Sequence, residues 1–215
     1  MSSVVAQNTI DEITVTADFR VRPELDIPSS ISVLDKVFIE KSSTQHFQDL
    51  IYTIPNLNWS GDGNRPRYFQ IRGIGELEQY QGAPNPSVGF LIDDIDYSGI
   101  GSIATLFDIE QIEILRGPQG TLYGANALAG LINVRSNQPS EQLQGNMQVS
   151  VGDYGTGTVS AAVGGPISES LGYRVAVQQH SSDGYIENDF LERDDTNNID
   201  ELSLRTILDW QASDD

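Results

Sequence analysis

The sequence has no cysteine. Disulfides, thiolate metal centres and cysteine nucleophiles are therefore excluded. It also lacks an unbroken apolar run of about 18 residues, the minimum for a membrane-crossing helix. Its most apolar stretch, residues 121–134, is interrupted by Gly124, Asn126 and Gly130. A membrane role would have to use strands or a surface anchor. Positive charge is scarce: 12 Lys and Arg stand against 31 Asp and Glu, a net charge of −19. Nucleic acid, which needs basic patches to meet its phosphates, is not an expected partner, and anionic membrane surfaces are disfavoured. There are only two histidines, His46 and His180. Neither has metal-ligand spacing, so no metal and no cofactor is expected. No Gly-x-Ser-x-Gly or His-Glu-x-x-His motif occurs, and carboxylate pairs in an acidic chain say nothing without geometry. The chain is not read as an enzyme, a carboxylate pair acting on glycans being the remote rival. Met1 to Gln7 carries no charged segment or long apolar segment, and resembles the tail of a signal peptide more than a whole one. A trimmed mature form is the expectation.

What is present falls into three stretches. Residues 1–27 are polar, but Ile10 to Ala17 alternates and is rich in β-branched side chains, which predicts a strand with no hairpin partner nearby. Such a strand can pair with another protein by edge addition. Residues 28–140 predict a mixed α and β unit. Ile31 to Leu34 reads as a strand, Asp35 as a helix cap, and Phe47, Leu50 and Ile51 as one face of a helix ending before Pro55. Strands are predicted at Tyr68–Arg72, Val88–Ile92 and Leu131–Val134, with Ile109 to Leu115 leading into a glycine-rich stretch at 117–124.

From residue 141 the texture changes. Four alternating segments, around Met147–Val151, Val159–Val163, Tyr173–Val177 and Leu202–Trp210, predict strands of about 8–11 residues, the length a tilted membrane strand needs. Thr206 and Ile207 swap the expected polarity. Residues 164–170 read as a short turn and residues 181–200 as a long acidic loop, the asymmetry of an outer-membrane barrel, although the link at 152–157 is short for an outer loop. Alternation alone leaves a soluble β-sandwich equally open.

Single motifs read blandly. The glycines at 117–124 lack the Lys and the spacing of a phosphate loop or a dinucleotide fingerprint, and suit tight turns. Asp93, Asp94 and Asp96, and the run 192–198, lack the glycine and distal Glu of a calcium loop, and read as a strand-end turn and a solvated loop.

From Asp108 the chain runs DIEQIEILRGPQGTLYGANALAGLINV, preceded in order by IPNL at 54–57, FQIRGIG at 69–75 and VGFLIDDI at 88–95. These segments resemble the plug domain of TonB-dependent outer-membrane receptors, and residues 141–215 resemble the first strands of such a receptor's barrel. The resemblance implies an α+β plug domain at 28–140 followed by the first antiparallel strands of an incomplete transmembrane β-barrel. The family's barrel has roughly 22 strands, and four cannot close without unpaired backbone in lipid. The expectation is therefore a fragment that does not transport alone.

The resemblance also implies site residues. Glu12, Ile13, Thr14, Val15 and Thr16 resemble the TonB box, to which the periplasmic energy-coupling protein TonB adds a strand. Arg72 and Arg116, each before a glycine at a strand end, would pair with barrel carboxylates beyond Asp215, and so stand unmatched here. Asn64, Arg65, Gln79 and Tyr80, in loops at 61–85, would lie at the plug apex and contact the ligand. That ligand would be a bulky nutrient, most commonly an iron–siderophore complex, taken up across the outer membrane, whose lipid would surround the barrel. The rival is a soluble acidic binding module of the envelope.

Overall fold

The computed structural model describes residues 14–15, 22–23, 30–61, 63–78 and 85–212. The first elements are two short strands, β1 (Thr14–Val15) and β2 (Arg22–Pro23), which pair antiparallel. β3 (Ser30–Asp35) leads into α1 (Lys36–Ser42), and the Asp35 carboxylate caps that helix by accepting from the Phe38 amide at 2.7 Å. α2 (Phe47–Leu50) and a 3-10 turn at Ile51–Thr53 bury Phe47, Leu50 and Ile51 on one face, as their spacing predicts. β4 (Leu57–Ser60) and β5 (Tyr68–Ile71) form a small antiparallel pair. β6 (Val88–Ile92), β7 (Ile95–Asp96), β8 (Ile109–Arg116), α3 (Gly120–Tyr123) and β9 (Gly130–Ser136) complete this unit, the plug.

The plug is organised by one five-stranded sheet in the order β3-β8-β9-β6-β7, with β6 and β9 parallel and the other pairs antiparallel. One face carries Phe90, Ile112, Ile114 and Ile132, all fully buried under Phe47, Leu50 and Phe69. The other carries a smaller cluster of Leu91, Leu115 and Leu131. Glu113 and Asn133 share a row on that second face, fully buried; the Glu113 carboxylate accepts from Gln111 Nε2 at 2.6 Å and Asn133 Nδ2 at 3.1 Å. Asp93 and Asp94 make the tight β6–β7 turn at positive φ. Asp93 accepts from the Ser136 amide, and Asp94 pairs with the Arg135 guanidinium.

Gly89 marks a close approach. A Cβ there would lie 2.6 Å from Leu131 Cδ1 and 2.8 Å from the Asn126 carbonyl oxygen. Gly89→Ala is expected to cost the plug about 1–3 kcal/mol by overpacking, read as a lower urea midpoint with an unchanged slope.

The second unit, the wall, is a four-stranded antiparallel sheet: β10 (Gln144–Val151), β11 (Gly157–Ser168), β12 (Leu171–Ser182) and β15 (Ile199–Trp210), paired in that order. A hairpin of β13 (Ile186–Asn188) and β14 (Arg193–Thr196) occupies the long connection, where the sequence predicts only loop. Three wall strands have 12 residues, longer than expected. The predicted turn at 164–170 shrinks to Glu169 and Ser170, because Gly164, Gly165 and Pro166 stay in register with Arg174, Tyr173 and Gly172. Pro166 offers no N–H, and the ladder slips between Pro166 and Ser168, the irregularity at which a strand tolerates proline.

Register separates two chemistries. One face carries rows such as Met147–Ala161–Val177–Leu204 and Val149–Val159–Gln179–Leu202, with Met147, Val149, Leu202 and Leu204 each more than half exposed. The other carries Gln148–Ser160–Gln178–Ser203 and Ser150–Thr158–His180–Glu201 and faces the plug. The Thr206–Ile207 swap is chemical only: Thr206 still points out and Ile207 in. Exposed Trp210 stands at the short-turn end, and Tyr154 and Tyr185, with ring centroids 6.3 Å apart, at the other. An exposed apolar band with aromatics at its rims and a polar inner face is the pattern of a strand wall in lipid. No helix among the described residues is long and apolar enough to cross a membrane.

Candidate functional site

The plug and wall meet through two ionic contacts of opposite polarity, one part-buried and one centred on a buried carboxylate. In the first, the arginine comes from the plug. Arg65 donates from Nε to Glu201 Oε1 at 2.7 Å and from Nη2 to Glu201 Oε2 at 2.6 Å, a fork-to-fork pair with the arginine side chain 10% exposed. Gln45 completes the contact. It accepts from Arg65 Nη2 at 2.8 Å and donates to Gln178 Oε1 at 3.2 Å and Glu201 Oε2 at 3.3 Å. Neighbouring Asn64 donates to the Asn198 carbonyl at 3.1 Å, which ties the same loop to the base of the β13–β14 hairpin.

In the second contact the arginines come from the wall. Asp108, its side chain 1% exposed, receives Arg174 on both carboxylate oxygens, at 2.7 Å from Nε and in a shorter contact from Nη2. Asn137 Nδ2 donates to it at 2.9 Å. Arg205 donates to the carbonyls of Phe107 at 2.8 Å and Asp108 at 3.0 Å. Asp108 sits at φ +63°, a left-handed conformation that Asp tolerates better than most residues, and this turns both its carboxylate and its carbonyl to the wall.

Asn64 and Arg65, expected at the plug apex, bond the wall here, because Glu201 projects inward from β15 at the height of their loop. Arg72 and Arg116 take no part in these plug–wall ion pairs. Arg72 donates to Ser30 Oγ at 3.3 Å, and Ser30 is the ladder partner of Arg116. The two guanidinium groups are therefore neighbours. Partial burial, and then the Arg72 charge, push Arg116 below its usual pKa. Among the described residues neither meets a carboxylate. Asp49, whose carboxylate closes the capping box of α2, is pushed up by burial beside this interface.

The segment that resembles the TonB box departs from expectation in its pairing. Thr14 and Val15 pair with Pro23 and Arg22, and Val15 is fully buried, so the predicted lone strand has an internal partner. Glu12, Ile13 and Thr16 lie outside the described residues, as do Gln79, Tyr80 and the start of the chain. Sequence reasoning missed Asp108, Arg174, Arg205 and Glu201. The available signal was the pair of inward-phase charges Glu201 and Arg205 on either side of the small Ser203 in β15. No group of His, Asp and Glu among the described residues could hold a metal ion.

Comparison with known proteins agrees with this architecture. The family described as the TonB-dependent Receptor Plug Domain matches residues 23–131. The pesticin receptor of Yersinia pestis is 31% identical over 164 residues, covering 74% of this chain and 24% of its own length. The crystal structure of the ferric yersiniabactin uptake receptor FyuA from Yersinia pestis superposes with a TM-score of 0.72 at 25% identity, covering 84% of this chain and 28% of that one. The FpvA receptor of P. aeruginosa, in a complex with pyoverdine and iron, shares the fold with a TM-score of 0.74 at 17% identity, over 94% of this chain and 26% of its own. The chain thus spans about a quarter of the length of the relatives it matches. Plug sheet, two-faced wall and sequence match together place this chain in the TonB-dependent receptor family of the outer membrane.

Proposed function

We propose that this chain is the plug, residues 28–140, and the first wall strands, residues 141–215, of a receptor that takes up a bulky nutrient, most commonly an iron–siderophore complex, with energy supplied through TonB. One observation carries the reading. The wall presents an apolar face outward and a polar face inward, and the inward face is bound by ion pairs to a globular sheet domain. A soluble acidic module would have no reason to expose Met147, Leu202, Leu204 and Trp210 together. The relatives named for ferric yersiniabactin and for pyoverdine with iron support an iron–siderophore complex as cargo.

In this reading, Glu12 to Thr16 receives a strand from TonB. Since Thr14 and Val15 already pair with Pro23 and Arg22, TonB either displaces that short partner or adds to the opposite edge of β1. Both routes need backbone N–H groups in the box. Arg72 and Arg116 form a paired positive site for carboxylates of the wall opposite.

In iron-starved cells whose only siderophore receptor is the full-length protein, uptake of radiolabelled iron is expected from one of ferric yersiniabactin, ferric pyoverdine or ferric enterobactin. Ile13→Pro is expected to abolish that uptake while cell-surface binding of the same chelate is retained. Uptake of none of the three removes the siderophore assignment, and undiminished uptake by Ile13→Pro removes the coupling role of the box.

A further inference from the structure

Both histidines of the chain, His46 from the plug and His180 from the wall, converge on the Arg65–Glu201 contact. His46 is fully buried and His180 is 7% exposed. His180 is the ladder partner of Glu201 on the inward face of the wall and bonds Thr158 at 2.8 Å on its other side. His46 follows Gln45, the residue that joins Arg65, Gln178 and Glu201. The Glu201 carboxylate lies in the field of both imidazoles.

His46 is also the N-cap of α2. Its Nδ1 accepts from the Gln48 amide at 3.2 Å, and its own amide donates to Asp49 Oδ2 at 3.3 Å, a reciprocal capping box. A backbone N–H can only donate, so this cap exists only while Nδ1 carries no proton. Asn, Asp, Ser and Thr are the common N-caps. Histidine, unlike these, changes charge between pH 5 and 8. The residues on either side of the cap point in two directions. The Phe47 amide bonds the Ala104 carbonyl at 2.9 Å within the plug, and Gln45 carries the bonds to the wall. Loss of the cap is therefore felt at the wall contact.

We propose that His46 makes the Arg65–Glu201 contact a pH-sensitive latch, closed while the imidazole is neutral and weakened in mildly acidic surroundings. A proton on Nδ1 turns the acceptor into a donor aimed at another donor, removes the cap of α2, and adds a cation to a contact that already holds Arg65. Glu201 attracts that charge, but Arg65 already engages both of its oxygens, and the cap is lost all the same. The titratable and charged groups facing His46 are Asp49 on α2, Arg65 on the loop before β5, His180 on β12 and Glu201 on β15; Thr105, its bridge partner, is neutral. By linkage, an opened contact gives His46 an ordinary imidazole pKa of about 6.5, so the open form takes up a proton that the cap excludes. Closure is at full strength above that pH and weakens as pH falls below it. Asp49 acts the other way: burial pushes its carboxyl up, so its own proton favours the closed form as pH falls. The latch depends on neither the cargo nor TonB.

The test follows plug release from the full-length receptor in detergent, by limited proteolysis across a urea series. Between about pH 7.5 and about pH 5.5 the release equilibrium of the native receptor is expected to rise about tenfold, the linkage of one imidazole that titrates only when the contact is open. His46→Asn and His46→Ser keep a capping oxygen and do not titrate, so their equilibria are expected to change less than about twofold over the same range. Asp49→Asn, which still accepts from the His46 amide but no longer opposes, is expected to keep the full response, and so is His180→Gln. No acid response in the native receptor overturns the proposal, and so does an undiminished response in a folded His46 variant. Should neither His46 variant fold, His180→Gln decides: a response that survives it supports His46 as the group that titrates, and a response that it abolishes overturns the proposal.

Discussion

Replacing Asp108 with alanine is expected to loosen the plug from the wall by about 3–5 kcal/mol, the usual cost of removing one partner of a buried ion pair. The reason is what remains behind. Arg174 loses both oxygens of its bidentate contact, and Arg205, beside it, keeps only carbonyl partners. Two guanidinium groups would then share a nearly closed space with no carboxylate bonded to either. The measurement is plug release from the full-length receptor in detergent, followed by limited proteolysis across a urea series. Asp108→Asn is the control for shape: it accepts the left-handed backbone and keeps a hydrogen-bonding side chain but loses the charge, so it should fall between wild type and alanine. Arg174→Ala combined with Asp108→Ala should cost clearly less than the sum of the single changes, because the second change removes a charge that the first had stranded. Additive costs would show that the two side chains do not act as a pair.

Phe69→Ala should be as damaging, but inside the plug. Its ring lies between Phe47 and Phe90, at centroid distances of 5.6 and 5.3 Å, and is 2% exposed. It thereby joins α2 to the sheet strand β6. Truncation removes the apolar burial of a whole ring and leaves a cavity, a combined cost of about 3–5 kcal/mol. Small domains have a total stability of roughly 5–15 kcal/mol, so a large fraction of the plug's margin would go. The expected result is early unfolding of the plug by hydrogen exchange at β5 and β6, while β11 and β12 remain protected. Uniform loss of protection across plug and wall would mean that the two units unfold together.

Both predictions concern groups of different legibility. Phe69 is visible in the sequence, because FQIRGIG is a plug motif and an aromatic in a strand ending at glycine is a core residue in most settings. The helix at Phe47 to Leu50, its face, the Asp35 cap and the strand at Val88–Ile92 are visible for the same reason: they depend on periodicity and capping chemistry within a few residues. Asp108 opens the family motif but reads as a turn residue, and nothing local says that its carboxylate is buried. Arg65 lies in a glycine-rich, polar loop that suggests solvent and ligand, whereas Glu201, 136 residues away, accepts from its Nε and Nη2.

The sequence by itself determined the strand periods, the two chemically distinct faces of the wall and the membership of the family, because each depends on side-chain order along one segment. Tertiary structure decided which charges pair, that the plug is bonded to β12 and β15, and that Thr14 and Val15 have a partner. Those outcomes depend on register between strands distant in the chain and on the burial of charge, and a charge's partner is set by which inward row reaches the same height, a quantity that no single segment contains.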